Sequence, residues 1–180
     1  ENLPFHAMLF HPGYSFREPV KMNEFTDSHQ QQIRLTDAFF DYGSLVPEHG
    51  DLPPDAGFAG FRLHAPLNRP DYFDELAVFQ GASYWRALGK GQHYGISARG
   101  IAVDTGGEGM TEEFPAFREF WLHKPRPDDK VSLAYGLLDG PSFTGAYGFL
   151  IQPGDDTVVT VRAVLFPRKP VKRLGIAPMS

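Results

Sequence analysis

The spacing of glycine and proline limits this chain more than any other feature. With 19 Gly and 16 Pro in 180 residues, the segments between them run mostly to roughly 5–12 residues, and they are rich in Phe, Tyr, Val, Leu and Thr. Helices of three or more turns do not fit such segments; short strands joined by turns do. One stretch, residues 20–42, is free of both breakers. Its apolar residues, Val20 and Met22 followed by Ile33, Leu35 and Phe39, keep no 3.6-residue period, so the expectation there is two strands around a polar turn at Thr26 to Gln31.

Alternation is clearest in the C-terminal half. Val159, Val161, Ala163 and Leu165 share one face while Thr160 and Arg162 take the other. Phe143, Gly145, Tyr147, Phe149 and Ile151 repeat the pattern, and Pro153-Gly154-Asp155-Asp156 between the two runs predicts a hairpin turn. Val131, Leu133, Tyr135 and Leu137 add a third strand by the same logic, ended by Asp139-Gly140-Pro141. Upstream, Ala59–Leu63, Glu75–Gln80, Tyr84–Leu88, Tyr94–Asp104 and Phe117–His123 are further strand candidates. Regular short strands without intervening helices indicate an all-β sandwich or barrel, forming one domain or part of one.

Several function classes drop out. A net charge of −5 argues against a nucleic-acid partner, since such proteins carry a basic face. The cluster Arg168-Lys169-Pro170-Val171-Lys172-Arg173 reads as a solvated strand end or loop. No run reaches the roughly 18 apolar residues of a membrane-spanning helix. The absence of cysteine removes disulfides, thiolate metal sites and cysteine nucleophiles. Seven histidines (His6, His11, His29, His49, His64, His93, His123) form no HExxH or HxH pattern, so no metal site is expected. Gly95 to Gly100 and Gly140 to Gly145 each hold one residue too many for a nucleophile elbow, and Gly89 to Gly95 does not fit a dinucleotide turn, so no cofactor is expected. The first residues are neither a charged nor an apolar leader, and the chain reads as trimmed at its front.

The densest chemistry lies between Gly81 and Trp121. Tyr84, Trp85 and Arg86 occupy one short strand and Tyr94, Ser97, Arg99 and Asp104 the next, so antiparallel pairing gathers aromatic rings, guanidinium groups and a carboxylate on one sheet. Aromatic faces stack on pyranose C–H groups, and Arg and Asp side chains hydrogen-bond hydroxyls, which suits a neutral polysaccharide. The same aromatics also suit a sandwich core. Arg86 and Arg99, set in apolar runs, require partners; Asp104 is the nearest, as a structural ion pair or as part of a ligand clamp. The acidic glycine-rich stretch Thr105 to Pro115 reads as a solvated connection.

These residues also carry a family resemblance. Phe79-Gln80-Gly81-Ala82-Ser83-Tyr84-Trp85-Arg86-Ala87-Leu88-Gly89, Gln92 to Thr105, Glu113-Phe114-Pro115 and Phe117-Arg118-Glu119-Phe120-Trp121 resemble the periplasmic glucan biosynthesis proteins of the G and D type. Gly57–Phe61, Leu137–Asp139, Thr144–Tyr147, Asp156–Val159 and Leu174–Met179 follow in the family's order. The resemblance implies a periplasmic protein of Gram-negative bacteria acting on osmoregulated glucans with a β-1,2-linked backbone. It implies a galactose-mutarotase-like β-sandwich, of which residues 1–180 are an incomplete part, followed in the family by a smaller immunoglobulin-like domain absent from this chain. Several members are similar in being inverting β-1,2-glucanases, which use one carboxylic acid and one base; in the family these lie in a later part of the sandwich, so no catalytic residue is assigned to this chain. The expected glucan contacts are Tyr84, Arg86, Tyr94, Arg99, Asp104 and Trp121. A second reading from the same resemblance is a non-catalytic glucan-binding or assembly protein that guides chains emerging from a membrane glucan synthase. Two positions depart from the family pattern: Trp85 stands where Phe is usual, and Gly148 where a basic residue is common.

Overall fold

The computed structural model describes residues 3–13, 19–41, 43 and 56–180; Tyr42 and His49 lie outside them. Among the described residues there is no α-helix, and the strands form two facing sheets, the expected sandwich. The first sheet has the order β1-β4-β5-β6-β7, with β1 (His6–Phe10), β4 (Gly60–Arg69), β5 (Tyr72–Gln80), β6 (Tyr84–Ala87) and β7 (Ala98–Arg99). The second has the order β12-β11-β10-β9-β2-β3, from β2 (Lys21–Phe25), β3 (Gln30–Ile33), β9 (Ala116–His123), β10 (Ser132–Asp139), β11 (Phe143–Gln152) and β12 (Val158–Pro167). A small ladder pairs β8 (Ile101–Val103) with β13 (Leu174–Ile176).

The core between the sheets is aromatic. Phe61 stacks on Phe79 at 4.7 Å between ring centroids, and Phe120 and Phe149 of the other sheet meet Phe79 edge-on at 5.7 and 4.9 Å. Offset-stacked and edge-to-face geometries are the favourable ones for aromatic quadrupoles. Trp85 belongs here too, stacked on Phe79 at 6.2 Å and edge-on to Phe149. The departure from Phe at this position therefore adds bulk to the core while the side chain stays partly exposed.

Most expected strands are present. The stretch 20–42 forms β2 and β3 around Thr26–His29, where the Thr26 N–H donates to the His29 carbonyl at 2.7 Å. The Pro153–Asp156 turn joins β11 to β12 in a ten-residue antiparallel register. Sequence reasoning did not find β1, nor the parallel pairing of β2 with β9.

One expectation is corrected. The span Tyr94–Asp104 is not one strand: Tyr94–Ser97 is irregular, and Gly100 divides β7 from β8. The Gly100 N–H donates to the Ser83 carbonyl at 2.8 Å. A Cβ at Gly100 would come within 3.1–3.4 Å of Leu138, Ser83 and Phe117, so the chain dips into the core where a straight strand would not. In β10 the bulky face is the outer one. Tyr135 and Leu137 are exposed, whereas Ser132, Ala134, Gly136 and Leu138 are buried inward. Small inward residues are required because the rings of Phe117 and Phe120 occupy that space, within 3.0–3.2 Å of a Cβ added at Gly136.

Candidate functional site

The outer face of the first sheet carries charge on strands that are otherwise apolar. Register places Met8, Arg62, Val78 and Arg86 in one row across β1, β4, β5 and β6, and Tyr84 opposite Arg99 on β7. Glu75 on β5 lies between the two arginines of that row, 3.0 Å from the Arg86 Nη2 and 3.7 Å from the Arg62 Nη1. All three side chains keep partial exposure, so the ion pairs form the floor of a wet surface.

Beside this floor is a cavity of about 320 Å³ lined by Asn68, Asp74, Glu75, Arg86, Leu88, Gln92 and His93. Its walls are held by backbone-directed bonds: the Gly91 N–H donates to Asn68 Oδ1 at 2.7 Å, and the Gly89 N–H to Gln92 Oε1 at 2.9 Å. The Asn68 amide groups hold the Asp74 carboxyl below the usual carboxylate range. A smaller hollow of about 160 Å³, lined by Val78, Gln80, Tyr84, Trp85, Arg86 and Ser97, adjoins it through Arg86. Tyr94 is 81% exposed, and its ring sits 5.5 Å from the Arg86 guanidinium carbon. The Nε of Arg86 is buried and has no hydrogen-bond partner.

Arg99 is far more enclosed than Arg86. It is 5% exposed, enclosed between the rings of Tyr84 at 5.3 Å and Phe114 at 4.8 Å. Its Nη1 donates to Glu112 Oε1 at 2.7 Å, and the Thr105 hydroxyl donates to the same oxygen at 2.9 Å. The Arg99 guanidinium, helped by Thr105, holds the Glu112 carboxyl below its usual range. Nε and Nη2 of Arg99 are buried without hydrogen-bond partners.

The arginines thus pair with Glu75 and Glu112, not with Asp104 as the sequence suggested. Asp104 adopts a left-handed conformation, φ 53°, and its Oδ1 accepts from the backbone N–H groups of Lys172 and Arg173 at 3.0 and 2.8 Å. It fastens the C-terminal segment to the end of β8. The acidic stretch after it is likewise anchored rather than merely solvated, since Glu113 accepts from the Ser142 N–H and hydroxyl. Trp121 lies on the outer face of the other sheet, opposite Tyr135 and Asn23, and is not gathered with the rest. The structure therefore brings together Tyr84, Arg86, Tyr94 and Arg99, and places Asp104 and Trp121 elsewhere. Sequence reasoning missed Glu75 and Glu112. For Glu75 a signal existed: Arg62 and Arg86 are single cations in otherwise apolar strands, Glu75 opens the apolar run of the strand between them, and such charges must find one another.

Fold and site together define a two-sheet β-sandwich that presents a polar and aromatic surface on the outside of a sheet. Over residues 1–180 the chain matches the family model described as "Periplasmic glucan biosynthesis protein, MdoG". It is 47% identical over 182 residues to glucans biosynthesis protein G of Rhodopseudomonas palustris (strain BisA53) and 49% identical over 180 residues to glucans biosynthesis protein D 1 of Ralstonia nicotianae, in each case along 100% of this chain. Those alignments cover 35% and 33% of the relatives, so the chain spans about a third of their length. The chain belongs to the periplasmic glucan biosynthesis protein family.

Proposed function

We propose that the protein acts in the periplasm on the β-1,2-linked backbone of osmoregulated glucans, and that the outer face of the first sheet is part of its glucan-binding surface. The observation that carries this reading is the junction at Arg86. Two adjoining polar hollows share that residue, and the most exposed aromatic ring of the region, Tyr94, stands beside it. A neutral sugar needs hydroxyl-directed donors and acceptors next to an open ring face. Arg86, Asp74, Gln92 and His93 supply the former and Tyr94 the latter, with Tyr84 continuing the track into the smaller hollow.

Within this reading Arg99 acts by holding the Tyr84 ring and the 105–114 connection in place, because its guanidinium is enclosed. Floor and cavity wall together set Glu75 and Asp74 against Arg62 and Arg86, a balanced charge that fits an uncharged polymer better than an acidic one. Hydrolysis by inversion is the reaction we assign to the natural-length protein, with the acid and base supplied by sequence outside these 180 residues. Residues 1–180 then form one wall of the sandwich domain that processes the glucan.

The test is release of reducing ends from linear β-1,2-glucan by the natural-length protein, with β-1,3-glucan as control. Release from the β-1,2 polymer alone is the expected result. Binding without release would replace the hydrolase by the non-catalytic assembly protein working beside a membrane glucan synthase. Neither binding nor release would remove the glucan reading.

A further inference from the structure

The outer face of the second sheet carries an aromatic row of its own. Register aligns Asn23, Trp121, Tyr135, Gly148 and Arg162 across β2, β9, β10, β11 and β12. Gly148 is the position that shapes the row. A Cβ built there would come 3.3 and 3.4 Å from the Cε1 and Cδ1 of Tyr135, so the ring lies across the glycine instead of standing off the sheet. An aromatic side chain laid over a cross-strand glycine shields its backbone, and the ring's other face is left outward. Tyr135 is 45% exposed.

The surroundings suit a ring-shaped, hydroxyl-rich ligand. Phe25 lies 5.7 Å from Tyr135 at a 36° tilt, extending the apolar floor toward His123. Trp121 flanks Tyr135 on one side, and across Gly148 stands Arg162, exposed and making no ion pair among the described residues. Asn23 is buried at the far end of the row, its amide donating to Glu119 Oε1 at 2.8 Å and to the Phe120 carbonyl at 3.1 Å, which fixes a carboxylate beside the floor. A flat ring face with a guanidinium on one side and a carboxylate on the other matches the apolar face and rim hydroxyls of a hexopyranose.

We infer that Trp121, Tyr135 and Arg162 form a second saccharide platform, on the opposite outer face of the sandwich from Arg86, which takes one glucosyl unit of the polymer against the Tyr135 ring. This rests on the glucan reading above for the identity of the ligand. Gly148 is its specificity-determining position: a Cβ alone presses on the ring, and a branched side chain there displaces Tyr135 from the sheet and removes the flat surface.

The experiment uses the natural-length protein and linear β-1,2-glucooligosaccharides, with affinity measured by calorimetry. Tyr135→Ala and Gly148→Val are expected each to weaken binding about three- to tenfold, the loss of one stacking contact, while Tyr135→Phe retains it. Arg86→Ala measures the other face. Loss with Arg86→Ala but wild-type affinity in both Tyr135→Ala and Gly148→Val overturns the second platform and leaves the proposed function standing. Wild-type affinity in all three, or no binding by the parent, overturns both. Because Gly148→Val acts only by pressing on Tyr135, hydroxyl-radical labelling of Tyr135 in the parent is the independent measurement. Labelling that is strong without sugar and suppressed by it is expected; a ring already protected without sugar overturns the platform, showing that the face is covered by protein.

Discussion

Arg99 and Arg86 stand on neighbouring strands of one sheet, were expected from sequence to do the same work, and are put to opposite uses. Arg99 is enclosed by two rings and tied to a carboxylate on the connection that folds over it. Arg86 lies half-open between two hollows, with its carboxylate on the strand beneath and an aromatic ring at its rim. The difference comes from which chain segment returns to each. The 105–114 connection covers Arg99, whereas only Gln92–Tyr94 skirts Arg86. A guanidinium in an apolar strand is therefore a sign of a partner, and what the partner is attached to decides between structure and binding.

The largest effect should separate the two on stability. Arg99→Ala is expected to cost about 3 kcal/mol, because it removes an enclosed guanidinium from its part-buried ion pair and leaves a hole between Tyr84 and Phe114. Denaturant unfolding of the natural-length protein checks this, and a loss below about 1 kcal/mol would erase the contrast. Arg99→Met sharpens it. Two of the guanidinium nitrogens are buried without hydrogen bonds, so an apolar side chain of similar length is expected to restore most of the stability. Glucan binding should survive in Arg99→Met; its loss there would make Arg99 a ligand contact after all.

Acid should act on the Arg99 region in the same direction. The Glu112 carboxyl is held below its ordinary value of 4.5 by Arg99 and then by Thr105. A carboxyl depressed in the folded state contributes stability that is fully present above the ordinary value and is lost as pH falls through the lower, folded one. Stability is thus expected to decline below pH 4.5 partly through this contact. Glu112→Gln should flatten that portion of the pH dependence, read from unfolding midpoints between neutral and acid conditions. An unchanged slope would mean that other carboxylates set the acid limit.

How far the sequence reached follows the same division. The hairpin of β11 and β12 was legible because alternation, strand length and turn chemistry agreed over Phe143–Leu165. Alternation located β10 but did not tell which of its faces is inward, since bulky residues mark the core only when the facing layer leaves room. There Phe117 and Phe120 had already filled it, so Ala134 and Gly136 face inward. Nor does alternation separate an edge from a centre: Val161 is 39% exposed and its neighbour Phe149 not at all, although both point to the same side. At the site, pairing across β6 and β7 was legible, and so Tyr84 and Arg99 meet as expected. The identity of the acids was not. Asp104 is nearest in sequence, but its left-handed backbone turns the carboxylate to the C-terminal segment, and the long connection brings Glu112 back instead.

Arg86→Ala should show the reverse of Arg99. Its side chain is partly exposed and Glu75 keeps Arg62 as a second cation, so the expected loss of stability is within about 1 kcal/mol. Affinity for β-1,2-glucooligosaccharides should fall about tenfold, the loss of a charge-assisted hydrogen bond to a hydroxyl. Unfolding and calorimetry on the same preparation decide it. A large drop in stability with affinity intact would make Arg86 a structural ion pair and remove the basis for placing glucan on this face.

Tyr94→Ala carries the smallest effect and asks the finest question. The ring is 81% exposed and its contact is with the Arg86 guanidinium, so stability should stay within about 0.5 kcal/mol of the parent. If the ring only shields Arg86, Tyr94→Ala in an Arg86→Ala background should change nothing further. If it stacks on the sugar, the double variant should lose about a further threefold in affinity, the stacking contact that remains once the coupling to Arg86 is gone. We expect the second result, because the ring meets Arg86 on one face and leaves most of its surface to solvent, free for a sugar to stack on.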